Sequence, residues 1–198
     1  GIGLVAAVGD DLAAHHRAWL DAHGVEQSGI SVRAGTRTPR AWQIFEPDDR
    51  RIEIFRTDVA EFRALKPRLA EIPPHYFQCG GFHISWGSLS EVVEFARHAK
   101  GINPRALLLW EPAPPQLRDE RAEFQAALRA CDIFSPNLAE AMHLCQSADV
   151  DTIVRTLIAW GARCVVLRMG KAGSLIARAD DARRVRVPAC PTRVVDVT

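Results

Sequence analysis

A chain of 198 residues, 47% hydrophobic and 25% charged, has the composition of an ordinary globular protein and enough length for one principal domain. Its formal net charge of +1 provides no basic field for nucleic acid or an anionic membrane, and no apolar run reaches the about 18 residues that span a bilayer. Five cysteines, odd in number and without a C-x-x-C pair, argue against a disulfide framework and a structural zinc site and fit a reducing, cytoplasmic setting.

In chain order, IGLVAAV reads as a buried strand, followed by a polar turn at Gly9-Asp10-Asp11 and a helix from about Leu12 to Ala22 that ends at Gly24. AWQIF and RIEIFR flank the turn-forming EPDDR and predict a hairpin with unlike faces, Trp42 and Ile44 on one and Gln43 and Phe45 on the other. YFQCGG reads as a short strand closed by a glycine turn, and Ser88 with Glu91 three residues on predicts a capping box before the helix LSEVVEFARHA. ALLLW is a short apolar strand and EPAPPQ a rigid proline loop. LRDERAEFQAALRAC is a helix with Leu117, Phe124, Leu128 and Cys131 on its core face. DIFS predicts a strand, PNLAEAMHLCQ a helix with Leu138, Ala141, Met142 and Cys145 inward, and DTIVRTLIAWG a helix closed by Gly161. RCVVLRM, SLIAR and RVRV are strands. This alternation implies an α/β fold, a mainly parallel sheet with helices on both faces, whose ligands bind beyond the carboxyl ends of the strands.

Two glycine motifs fail on their context. GIGLVA matches a dinucleotide fingerprint in letters, but its glycines run into a strand instead of following one, so a nicotinamide-dependent oxidoreductase has no other support. GKAGS lacks the first glycine of a P-loop and has Ala172 where Ser or Thr must follow Lys171. His15 and His16, adjacent on a helix, diverge by about 100° and do not share a metal easily.

SPNLAEA, residues 135–141, is more informative. Asn137 stands where a strand gives way to a helix, and Glu140 lies on the same side of the first turn. On spacing alone the pair is satisfied by a helix cap with an acid near the positive end of the dipole. At the carboxyl end of a central strand it also suits phosphate oxygens, through free helix N–H groups, and a hydrated Mg²⁺, through the carboxylate.

With these segments in view, the chain resembles the ribokinase-like (PfkB) carbohydrate and nucleoside kinases over nearly its whole length. GLVAAVGDDLAAHHRAWLDAHGV is similar to the family's early strand, Gly-Asp turn, helix and Gly-Val exit. EPAP is similar to its N-P-A-P loop, with Glu111 in place of Asn, and SPNLAEA to its N-x-x-E motif. VVLRMGKAGSLIA resembles the strand, glycine turn and strand that border the nucleotide, with Arg168 where Thr is frequent. VVDVT is similar to the segment before the signature G-[AG]-G-D.

The resemblance implies a partial ribokinase-like domain over residues 1–198, with a lid hairpin at 40–56, lacking the N-terminal sugar-binding segment and the C-terminal G-[AG]-G-D segment. It implies ATP and Mg²⁺ as cofactors, bound by Asn137, Glu140, Arg168, Gly170, Lys171 and Gly173. Asn137 and Glu140 are expected to hold Mg²⁺ through water, and Asp196 and Thr198 a monovalent cation such as K⁺. The catalytic base is expected after Thr198, so the chain itself carries none. Transfer of the ATP γ-phosphoryl to a sugar or sugar-like alcohol is the implied reaction, by a parent protein of which this chain is an inactive portion. A homodimer is compatible with the family. His83 and Trp86, in the CGGFHISWG loop, suit a pocket, but packing is the plainer role for Trp86 and solvent or a backbone partner for His83. The departures at Glu111 and Arg168 suggest the alternative, a ribokinase-fold protein that binds a ligand or partner without turnover.

Overall fold

The computed structural model describes residues 1–46, 51–85, 87–112 and 121–191. The chain forms two units, Gly1–Tyr76 and a second that begins at Phe77.

In the first unit the expected strand over IGLVAAV is two short ones, β1 (Ile2–Gly3) and β2 (Ala6–Gly9). They pair in parallel with β3 (Val25–Glu26) and β4 (Ile30–Arg33), and helix α1 (Ala14–Ala22) lies between in sequence. The break has a local cause. The partner chain turns between β3 and β4, where the Ile30 N–H donates to Gln27 O, and so the ladder is interrupted opposite Leu4 and Val5. The segment is also less covered than its apolar letters suggest: Ala7 is buried, whereas Ile2 is 73% exposed. Helix α1 begins two residues after Leu12 and is followed by Gly24 at φ +67°, a left-handed position that favours glycine.

Two carboxylates after β2 organise the loop ahead of the hairpin. Asp10 Oδ2 accepts the Gly35 N–H at 2.8 Å, and Asp11 Oδ1 accepts the Thr38 N–H at 2.6 Å. Asp11 Oδ2 also pairs with Arg40 at 2.8 Å. The Thr38 backbone and side-chain bonds, with the Arg40 charge, hold the Asp11 carboxyl below its ordinary range. A side chain at Gly9 would strike Thr36 O at 2.3 Å, so the turn admits only glycine there.

The hairpin is formed by β5 (Ala41–Phe45) and β6 (Arg51–Phe55), antiparallel, with Trp42 opposite Ile54 and Ile44 opposite Ile52. Opposed residues share a face, so all four lie on one side of the ribbon, and each is at least 40% exposed. Residues 47–50 of the expected turn lie outside the described residues. Helix α2 (Val59–Ala64), not anticipated from the sequence, follows with Asp58 as its N-cap.

The second unit contains, in order, β7 (Gly81–Ile84), α3 (Leu89–Ile102), β8 (Leu107–Trp110), α4 (Arg121–Ala130), β9 (Ile133–Phe134), α5 (Leu138–Cys145), α6 (Val150–Ala159), β10 (Cys164–Arg168), β11 (Ser174–Arg178) and β12 (Asp181–Val187). Among the described residues, six strands make one sheet in the order β12-β11-β10-β9-β8-β7. From β7 to β10 the pairings are parallel, each strand reached through a helical crossover; β11 and β12 run antiparallel at one side. The links before β11 and β12 are too short for a crossover, which leaves only hairpin pairing there. The sheet is therefore mixed.

YFQCGG is not the strand its letters suggest. Pro74–Gln78 form a 3₁₀ turn, and the strand is GFHI, which places His83 in β7 instead of in a loop. Gly81 reads as a turn residue, yet an added Cβ would lie 2.8 Å from Leu107 O, so its glycine serves close approach to β8.

The core follows the apolar stripes. Val92, Phe95, Ala96 and Ala99 of α3 are buried, as are Phe124, Leu128 and Cys131 of the α4 stripe; Leu117 lies outside the described residues. Trp110, Phe124 and Phe134 pack with ring centroids 5.0–5.6 Å apart. Burial pushes the Cys131 thiol up to about 12. On α5 Ala141 is fully buried, but Met142, expected inward, is exposed, because an eight-residue helix presents only a narrow core face. At the amino ends of the central strands, Asp132 Oδ2 accepts from Lys100 Nζ at 2.7 Å and from the Leu108 N–H at 2.9 Å. Its Oδ1 faces Arg163 at 3.4 Å.

Candidate functional site

The opposite, carboxyl edge of this sheet gathers the residues that the sequence singles out. Strand β9 ends at Phe134, and Ser135 and Pro136, both buried, lead directly into α5. Asn137 is its N-cap: Asn137 Oδ1 accepts the Glu140 N–H and Glu140 Oε2 accepts the Asn137 N–H, each at 2.8 Å. This reciprocal capping box fixes both side chains and leaves the second carboxylate oxygen with lone pairs to offer.

Strand β10 brings the glycine turn alongside. Asn137 forms a parallel bridge with Arg168, whose N–H donates to Pro136 O at 3.0 Å, so the start of α5 adjoins the end of β10. Immediately beyond, Gly170–Ala172 form one 3₁₀ turn, tied by the Gly173 N–H to Gly170 O and the Met169 N–H to Gly173 O. The two flanking glycines differ. Gly170, at φ +56°, has open space where a Cβ would lie, whereas a Cβ at Gly173, at φ +82°, would meet Val187 O at 2.0 Å. Lys171 is exposed on the turn.

The structure thus brings Asn137, Glu140, Arg168, Gly170, Lys171 and Gly173 to one edge. Asp196 and Thr198, the expected monovalent-cation residues, lie outside the described residues, as do Trp86 and residues 113–116 of the proline loop.

A charged group at this edge was not foreseen as a unit. Glu111 follows β8, and its Oε1 lies 2.5 Å from Arg168 Nη2, which also donates to Ser135 O at 3.2 Å. Glu111 Oε2 accepts from His83 Nε2 at 3.0 Å, so His83 is open to solvent as expected but also has a carboxylate partner, not a backbone one. The Arg168 Nε is buried without a hydrogen-bond partner. The signal was available: residues of opposite charge stand at two places where the resembling motifs are neutral, at the ends of strands separated only by β9.

The α/β unit, with its mixed sheet and with a capped helix and glycine turn at its carboxyl edge, shares the ribokinase-like fold of solved structures. The profile of the pfkB family carbohydrate kinases matches residues 2–198, and the chain belongs to that family. It is 26% identical over 197 residues to a nucleoside kinase from Methanothermobacter thermautotrophicus, covering 98% of this chain and 60% of that protein. The fold is similar to that of a ribokinase from Giardia lamblia, with a TM-score of 0.78 at 18% identity over 98% of this chain and 62% of the other. It is also similar to an E. coli protein described as ribokinase II, in complex with ATP and Mg²⁺. There the TM-score is 0.68 at 20% identity, over 98% of this chain and 64% of the other. The chain spans about three fifths of the length of the nucleoside kinase it matches.

Proposed function

We propose that this chain contributes the nucleotide side of an ATP-dependent kinase that phosphorylates an alcohol group of a sugar or nucleoside. The observation that carries the reading is the Asn137–Glu140 box set against the Gly170–Gly173 turn at the carboxyl edge of the sheet. Family membership supports the phosphotransfer class, and the nucleoside kinase among its relatives extends the acceptor from sugars to nucleosides.

The donor set fits Mg²⁺ in a particular way. Glu140 spends one oxygen on the Asn137 N–H, and among the described residues no group of three His, Cys, Asp or Glu gathers to hold a metal. One carboxylate and one amide suit a cation that keeps its waters and takes its remaining ligands from phosphate. Asn137 and Glu140 would hold it through water, and it would neutralise charge on the phosphates. The N–H groups of α5 and the turn would orient the phosphate oxygens, and Arg168 and Lys171 would add positive charge. Asp196 and Thr198 remain our candidates for K⁺. The base is assigned to a segment after Thr198, and the β5–β6 hairpin, with its uncovered apolar face, to the lid.

Nucleotide binding across a Mg²⁺ titration tests this in the full-length protein. Glu140→Gln keeps the size of the side chain and much of the cap but removes the charge. It is expected to weaken the Mg²⁺ dependence while leaving thermal unfolding nearly unchanged. Identical titrations for both proteins would reduce SPNLAEA to a helix cap.

A further inference from the structure

The Glu111 carboxylate bridges two donors on different strands, one oxygen to each: Oε1 to Arg168 Nη2 at 2.5 Å and Oε2 to His83 Nε2 at 3.0 Å. Arg168 is otherwise anchored by its backbone, through Pro136 O, and by the bond from Nη2 to Ser135 O. Its guanidinium therefore stays at the strand ends whether or not Glu111 holds it.

We propose that Glu111 is a specificity-determining latch, occupying the guanidinium of Arg168 until a polyphosphate displaces it. The inference rests on the nucleotide-site reading above. Three features of the site support exchange over a permanent pair. Carboxylate and phosphate are equivalent in kind for a guanidinium, since both offer paired anionic oxygens, and the phosphate carries more charge. The pair is partly open to solvent, the side chains being 39% and 30% exposed for Arg168 and Glu111, so screening keeps it weak enough to be replaced. Finally, Glu111 keeps His83 when it lets Arg168 go, so release does not leave a carboxylate without a partner.

The latch gives the edge a threshold. With Glu111 in place, the positive charge of Arg168 is neutralised, and weakly charged anions gain little from approaching it. A chain of phosphates, bound at the same time by the N–H groups of α5 and the glycine turn, has enough partners to compete. Glu111 thereby selects for polyphosphate over single small anions.

Calorimetric titration of the full-length protein with ATP and with inorganic tripolyphosphate tests the latch, with folding checked by thermal unfolding. Glu111→Gln should bind tripolyphosphate about twofold to fivefold more tightly, the gain from removing a weak, screened competitor. Arg168→Gln should bind it about tenfold more weakly, through loss of a charge-assisted bond. In the double variant the gain from Glu111→Gln should vanish, because the latch acts only through Arg168. Weaker or unchanged binding by Glu111→Gln, or a gain that persists without Arg168, overturns the latch. If ATP still binds with a Mg²⁺ dependence that Glu140→Gln weakens, the nucleotide site survives that failure. If neither ATP nor tripolyphosphate binds the unsubstituted protein, the nucleotide reading fails and the latch with it.

Discussion

Replacing Gly173 by alanine should destabilise the second unit far more than the same change at Gly170, although both glycines belong to one turn. At Gly173 two penalties combine. Its backbone, φ +82° and ψ −140°, lies where essentially only glycine is found, at a cost of about 1–3 kcal/mol for another residue. The new Cβ would also lie 2.0 Å from Val187 O, and the β12 backbone must retreat by about 1 Å to relieve it, a strain of the overpacking kind worth about 1–3 kcal/mol. The sum is about 2–6 kcal/mol, a large part of the about 5–15 kcal/mol that holds a typical domain folded. Gly170 meets no atom within 4 Å, so only the left-handed penalty of about 1–2 kcal/mol applies. Urea unfolding followed by tryptophan fluorescence reads the difference as a shift in midpoint at constant slope. Equal losses at the two positions, or a loss at Gly173 below about 1 kcal/mol, would refute the close approach of the turn to β12.

Asp132→Ala should cost about 2–4 kcal/mol by the same assay, because it strips the buried Leu108 N–H and Lys100 of their shared acceptor; Asp132→Asn should cost less, since one oxygen can still accept. In the first unit, the Tyr76 hydroxyl and then the Ser28 N–H lower the Glu26 carboxyl from 4.5 to about 2. A carboxyl depressed on folding gives stability that is present above its unfolded value and lost as pH falls through its folded one. Glu26→Gln should therefore remove up to one proton from the pH dependence of unfolding between about 4.5 and 2, measured by acid titration, with the loss of stability complete at pH 7 and vanishing below about 2. An unchanged acid limb would remove Glu26 from the account.

Much of the second unit was legible because its signals are local. The capping box at Ser88 and the helix cap at Asn137 are readable from spacing alone; both form, and at Asn137 the structure adds the reciprocal bond from Glu140. The strands ALLLW and RCVVLRM are apolar runs between breakers, and the stripe of Phe124, Leu128 and Cys131 turns inward as its period requires. What escaped depends on partners distant in the chain. Gly81 looks like a turn because the Leu107 carbonyl that demands a glycine is 26 residues away, and so the letters alone place the strand too early. Strands β1 and β3 have two residues each, too short to show any period. At the site, Asn137, Glu140 and the glycine turn were found by motif. The link from His83 through Glu111 to Arg168 was missed because it joins three strands, and no spacing within one segment reports it.

Asp132, before β9, and Glu111, after β8, stand at opposite edges of one sheet, and their settings differ in a way that bears on descent. Asp132 is mostly buried and ties α3, β8 and the approach to β10 together, so a change there is felt by the whole unit. Glu111 and Arg168 are partly open to water, and beyond each other their side chains meet an exposed His83 and the Ser135 carbonyl. A lineage can rewrite such a pair with little loss of folding, provided both members change in compatible ways, because the foundations lie elsewhere. The architecture is thus permissive at the edge that meets ligands and strict at the edge that does not. That arrangement lets one scaffold drift toward new anion preferences without passing through an unfolded ancestor.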